Sequence, residues 1–291
     1  RLMQSILDAI NEWIKEILIG AINGNLSTMF GDVNEKVGTI AAEVGQTPQG
    51  WNANIFSMIQ TLSENVIVPI AGLVITYVLC YELISMVTEK NNMHDVDTSM
   101  FFKWVFKSAA AVLIVSNTWN IVMGIFDVAQ SVVSSAAGVI VGDTSIDIAS
   151  VLTGLEERLM EMDIGPLFGL WFQSLFVGIC TWAITICIFI VIYGRMIEVY
   201  LVTSVAPIPM STMANREWGQ MGQNYLRSLF ALGFQAFLIM VCVAIYSVLV
   251  QNISVSGDIS AAIWTCMGYT VLLCFSLFKT SSMAKSVFNA H

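Results

Sequence analysis

Charged side chains are scarce in this sequence. They make up 11% of the 291 residues, while 56% are hydrophobic; a soluble domain carries roughly 25% charged residues. Ser108–Phe126, Pro166–Gly194, Ser228–Gly257 and Ile259–Phe278 contain no charge at all, and Val66–Val87 contains only Glu82. About 20 apolar residues, rising 1.5 Å each, cross the hydrocarbon core of a bilayer. These absences exclude an ordinary soluble globule.

Reactive groups are as thin on the ground as charge. Two histidines, His94 and His291, are too few and too scattered for a metal site or a nucleophile with its base. The six cysteines, Cys80, Cys180, Cys187, Cys242, Cys266 and Cys274, all fall inside the apolar runs and form no Cys-x-x-Cys pair. They read as small apolar residues of a helix bundle. There is no Walker-type glycine loop, no His-Glu-x-x-His and no Gly-x-Ser-x-Gly. No enzyme activity, cofactor or metal is therefore expected. Ionisable residues at mid-bilayer mark proton and ion pathways, and the candidates here, Glu82 and Glu198, both sit near the end of a run. Glu82 is expected to reach the interface. Five unequal runs show no inverted repeat of the kind transporters carry. A small-molecule or ion transporter stays as the alternative reading.

What is present is a set of apolar runs with charge sorted between their ends. An all-α, polytopic membrane protein follows, with five transmembrane helices near Val66–Thr88, Trp104–Phe126, Pro166–Ile192, Tyr225–Gln251 and Ile259–Phe278. Lys90, Lys103, Lys107, Arg195, Arg216, Arg227, Lys279 and Lys285 gather beside alternate ends of these spans. Asp143, Asp147, Glu156, Glu157, Glu161 and Asp163 occupy the long loop across the membrane. Basic residues stay in the cytoplasm, so the N-terminus is expected outside and the C-terminus inside. The resulting organisation is an extracellular amphipathic N-terminal region over 1–65 and helices 1–3 over 66–192, with a cytoplasmic loop 89–103 and an extracellular loop 127–165. A cytoplasmic-side segment over 193–224, helices 4–5 over 225–278 and a cytoplasmic tail over 279–291 complete it.

Three regions fall outside that simple pattern. Residues 2–22 place Leu2, Ile6, Ile10, Trp13, Ile17 and Ile22 on one helical stripe, with Gln4, Asp8, Glu12 and Glu16 opposite. An amphipathic helix docked on the outer membrane face or on partner subunits is expected, with no cleavable signal sequence among these residues. In "YGRMIEVYLVTSVAPIPMSTMANREWG", Pro207 and Pro209 lack amide protons and disfavour helix at Ala206 and Ile208. Arg195–Ala214 reads as a broken, re-entrant or in-plane hairpin, or else as a simple Pro-kinked helix. Finally, Gly138-x-x-x-Gly142 and Gly165-x-x-x-Gly169 suit close helix approach, either between copies or within the chain.

The wording of the chain carries a resemblance as well. "NIFSMIQTLSENVIVPIAGLVITYVLCYELI", "YGRMIEVYLVTSVAPIPMSTM" and "GQNYLRSLFALGFQAFLIM" are similar to TrbL-like (VirB-six-type) inner-membrane components of type IV secretion systems, in the versions found on Gram-positive conjugative elements. The resemblance runs from about Asn52 to the C-terminus, with Arg195 and Pro207 at the matching positions. It implies a cyclic homo-oligomer, five copies as the first count, in the bacterial cytoplasmic membrane. Single-stranded DNA with its relaxase, or a protein, would cross through or beside it. Other secretion subunits, including cytoplasmic ATPases, and membrane lipids would be its partners. The external loop is compact compared with Gram-negative relatives. On this reading the basic rim of Lys103, Lys107, Arg195, Arg216 and Arg227 attracts DNA phosphates or acidic ATPases; otherwise it anchors topology at the head groups.

Overall fold

The computed structural model describes residues 2–89, 98–140, 148–253 and 258–290. Lys90, Gly142 and the loop aspartates Asp143 and Asp147 lie outside the described residues. Every described element is helical: α1 (Leu2–Val44), α2 (Pro48–Trp51), α3 (Ala53–Leu62), α4 (Val68–Glu89), α5 (Thr98–Ser116), α6 (Thr118–Ile140), α7 (Ile148–Glu161), α8 (Ile164–Ser204), α9 (Pro207–Ser211), α10 (Gly219–Gln251) and α11 (Ile259–Val287). A π-helical turn over Ser63–Ile67 joins α3 to α4 without a break in direction, and a 3-10 turn over Thr212–Ala214 follows α9. Among the described residues six helices are long and apolar enough to cross a membrane: the joined α3–α4, α5, α6, α8, α10 and α11. The protein is an all-α, multi-pass membrane protein.

Six helices against five expected spans has a local cause. The span expected over Trp104–Phe126 is interrupted at Asn117, inside the polar triplet Ser116-Asn117-Thr118. The Asn117 amide still donates to the Leu113 carbonyl (3.1 Å), and the Ile121 amide to the Asn117 carbonyl (3.1 Å). The Thr118 hydroxyl takes the Ile114 and Val115 carbonyls, at 3.0 Å each. Such back-bonding bends a helix rather than reversing it; reversal takes a loop of a few residues. Positive φ, among the described non-glycine residues, occurs only at Asn289. So α5 and α6 form one bent rod.

The chain forms two compact units. The first holds Arg1–Val44, Ser135–Ile192 and Ile239–Lys279. In it the helix expected over 2–22 is the first half of α1, a continuous 43-residue helix. Nothing in 2–44 stops it, because the sequence has no proline before Pro48. Ile22, Leu26, Met29, Phe30, Val37 and Ile40 bury one face. Its neighbour α7 packs on it, with Leu155 and Leu159 fully buried. Asn25 Nδ2 donates to the buried Ser174 Oγ at 2.8 Å. Further along, Met29, Lys36 and Ile40 line one crevice with Val177, Ile184 and Ile188 of α8. Both series ascend together, so α1 and α8 run parallel. The hydroxyls of Tyr246 and Thr270 meet at 3.0 Å between α10 and α11.

The second unit holds Gly45–Ser134, Tyr193–Leu238 and Thr280–His291. Tyr225 donates to the Val202 carbonyl (2.8 Å), and Arg195 Nε to the Leu232 carbonyl (3.2 Å). One series rises as the other falls, so this end of α8 pairs antiparallel with the start of α10. Val122 and Phe126 of α6 pack against Val199, Leu229 and Leu232. Ala71, Ile75 and Val78 of α4 pack on Ala111 and Val115 of α5. The α2 turn opens with Pro48 at its first position, where the missing amide costs nothing. The Tyr200 hydroxyl donates to the Pro48 carbonyl at 2.6 Å, and Trp51 stands edge-on to Tyr193.

Candidate functional site

The Pro-x-Pro segment and the residues after it gather polar contacts within the second unit. The helix break is narrower than the sequence suggests. Arg195–Ser204 continue α8, and only Val205 and Ala206 form the turn before Pro207 starts α9. Proline fits there because the first helical position has no use for an amide proton. The carbonyls freed by the break are met by protein: the Tyr225 hydroxyl donates to the Val202 carbonyl (2.8 Å), and the Ala206 and Ile208 amides donate to the Thr203 and Val205 carbonyls (3.2 and 3.1 Å). Pro207, Met210 and Ser211 are buried, and α9 packs against both α4 and α5.

Asn215 ties α4 to the connection between α9 and α10 through one side chain. Its backbone is extended, which ends the 3-10 turn. Its Oδ1 accepts from the amides of Glu217 (2.7 Å) and Trp218 (3.1 Å), as an N-cap residue does. Its Nδ2 donates to Glu82 Oε2 at 3.1 Å, while Glu82 Oε1 takes Lys107 Nζ at 2.5 Å. Tyr81 donates to Glu217 Oε2 (3.2 Å), and the Trp218 ring stacks on Tyr77 and Tyr81 at 5.5 and 5.9 Å. Trp104 Nε1 donates to the Leu79 carbonyl at 3.2 Å. These contacts fasten α4, α5 and the α8–α10 connection together around a cavity of about 270 Å³, lined among others by Glu82, Lys103, Lys107 and Arg216. Among the described residues no three His, Cys, Asp or Glu side chains are grouped to hold a metal ion.

The model of the TrbL/VirB6 plasmid conjugal transfer-like protein family matches residues 33–207, well over half of the chain. The chain belongs to this family. No curated protein and no solved structure matches it. The matched stretch runs from the second half of α1 to the first residue of α9, so it takes in the helix break that the sequence singled out.

In this TrbL/VirB6-like chain the five basic residues of the expected rim fall into distinct settings. Lys103, Arg216 and Arg227 are exposed. Lys107 is half-buried and neutralised by Glu82. Arg195 is buried, holding the Leu232 carbonyl through Nε and facing Met196 Sδ at 3.8 Å. An arginine spent on a neighbouring helix is no docking point for a phosphate. The candidate glycines Gly138, Gly165 and Gly169 meet no heavy atom within 4 Å of where a Cβ would stand. No close approach within the chain explains them. The close approaches involve glycines the sequence reading passed over. A Cβ on Gly233 would stand 2.9 Å from Ala129 Cβ, and one on Gly222 would stand 2.6 Å from the Pro209 carbonyl oxygen. Glu82 was legible as a lone charge in an apolar run; its partners Lys107 and Asn215 lie 25 and 133 residues away and carry no local signal.

Proposed function

We propose that the protein is the membrane channel or scaffold subunit of a conjugative type IV secretion machine, and that it works as a closed ring of copies. Its cargo is single-stranded DNA with its relaxase, or a protein, crossing the cytoplasmic membrane. The N-terminus lies outside, and the C-terminus lies inside with the basic residues. Membership of the TrbL/VirB6-like family supports a place in a conjugation machine. The observation that carries the ring is how little of the apolar helices one chain covers. Only 11% of the most apolar stretch of α5 and 50% of that of α10 is buried. Leu73, Phe106 and Trp182 stand largely exposed. Lipid or further copies must cover such surfaces.

The test separates the exposed cations from the buried one. Lys103, Arg216 and Arg227 are replaced together with Gln, and transfer frequency and photocrosslinking of transferring DNA to this chain are read in parallel. Loss of both, with the membrane level of the protein unchanged, supports a path that touches DNA. Full transfer with no crosslink in either protein places the chain outside the path.

A further inference from the structure

The exposed face of α1 is a second feature whose surroundings demand an explanation. All side chains from Met3 to Trp13 are exposed, and among them the apolar Ile6, Ile10 and Trp13 are followed by exposed Ile17 at alternating steps of four and three. The same spacing continues through Gly20 and Gly24 and resumes at Gly31, Glu35, Gly38 and Ala42. A repeat that averages 3.5 residues is the signature of helices that pack side by side with partners of the same kind. Within the first unit nothing approaches Gly24, Gly31 or Gly38 within 4 Å of a Cβ position. Among the described residues none fills the seam at these three glycines.

Depth adds an independent constraint. Asn25 is held at the level of Ser174, and Lys36 and Ile40 share a crevice with Ile184, Ile188 and Tyr246. Those partners belong to the uncharged runs Pro166–Gly194 and Ser228–Gly257. The second half of α1 therefore stands beside membrane-spanning helix along its whole length, yet it exposes Thr28, Glu35 and Thr39 on its free side. A carboxylate at that depth faces water or protein rather than hydrocarbon.

We infer that α1 crosses the membrane beside α8, and that copies of this chain gather their α1 helices around a common axis. The apolar half, Ile6 to Ile17, packs copy against copy. The half from Gly24 to Ala42 lines a water-filled passage with Thr28 and Glu35 turned toward it. The inference rests on the channel reading and names the wall of the passage. It also moves Gly45–Asn52 to the inner side, because α1 and α8 run the same way.

The experiment uses the full chain in bacterial membranes, with the six native cysteines replaced and single cysteines introduced at Met3, Trp13, Thr28, Glu35, Gln49 and Phe275. A membrane-impermeant maleimide applied to intact cells labels Met3→Cys and spares Gln49→Cys until the cells are opened. A small charged thiosulfonate reaches Thr28→Cys and Glu35→Cys but not the lipid-facing Phe275→Cys. Mild oxidation links Trp13→Cys into dimers. Labelling of Gln49→Cys from outside would show that α1 does not cross. Thr28→Cys and Glu35→Cys as inert as Phe275→Cys would put the face in lipid, and an absence of Trp13→Cys dimers would remove the copies. None of these readouts involves DNA transfer. A chain that passes all three yet transfers normally after the Gln substitutions of the basic residues would fail the cargo reading alone.

Discussion

Replacing Gly222 with Ala sets two physical effects against each other. Gly222 lies in α10, where alanine is favoured over glycine by roughly 0.5–1 kcal/mol because glycine loses more backbone freedom on folding. On helix preference alone the variant is more stable. The surroundings point the other way. The added methyl would stand 2.2 Å from Met213 Cγ and 2.6 Å from the Pro209 carbonyl oxygen. The methionine can swing aside; the carbonyl belongs to the backbone of α9 and moves only with it. Forcing a methyl group into a packed contact of this kind costs roughly 1–3 kcal/mol, so the net effect is a loss of up to about 2.5 kcal/mol. Gly124→Ala is the control, since nothing lies within 4 Å of its Cβ position in α6, and it should gain up to about 1 kcal/mol. Thermal unfolding in mild detergent, followed by tryptophan fluorescence, should lower the midpoint for Gly222→Ala and raise it for Gly124→Ala. Adding Met213→Ala should restore part of the loss and not all, a coupling that a double-mutant cycle isolates. If Gly222→Ala is as stable as Gly124→Ala, the Pro-x-Pro segment does not rest on α10, and the account of the connection is wrong.

Lys107→Met should destabilise by about 1–3 kcal/mol by leaving the Glu82 carboxylate short of a partner, and adding Glu82→Gln should recover much of it; denaturation in mixed micelles reads both. Arg195→Lys should lower the unfolding midpoint despite its conserved charge, because lysine has no planar fork to hold the Leu232 carbonyl. Pro207→Ala with Pro209→Ala lowers the cost of continuous helix by roughly 3 kcal/mol per position. That pair should reduce conjugation frequency and change labelling at Met213→Cys, while normal transfer with unchanged labelling would make the break incidental. Cysteine at Asn252 should label from outside intact cells and cysteine at Ser282 should not, and the reverse pattern would overturn the orientation.

The sequence made the apolar helices legible because missing charge is a local signal that needs no partner to be seen. Its reach fell short where a neighbour decides the outcome. The interruption at Asn117 depends on side chains competing for carbonyls, which the uncharged run from Ser108 to Phe126 conceals. The α1 stripe was visible over 2–22 and no proline stops the helix before Pro48, but which of its later residues are buried depends on α7 and α8. Arg195 looked like a member of a basic rim, because burial of a charged residue cannot be read from spacing. At the Pro-x-Pro segment the sequence marked Ala206 and Ile208, because proline acts on its own backbone and on the residue before it; that Arg195–Ser204 stay helical depends on packing that the prolines do not announce.

The Glu82–Lys107–Asn215 arrangement has a consequence for how the protein is made. Glu82 and Lys107 lie 25 residues apart in the sequence, whereas Asn215 is synthesised more than a hundred residues later. As the ribosome delivers the α4–α5 pair, each charge already has its opposite within the same hairpin. Neither has to enter the insertion machinery bare, where a lone charge carries a penalty that reaches roughly 2.5–3.5 kcal/mol at the helix centre and falls toward the end of the run, where Glu82 sits. The hairpin arrives neutral, with one carboxylate oxygen in reserve. Asn215 takes that oxygen only after α8 has been made, so the last contact to form also reports that the earlier helices were threaded in the right order.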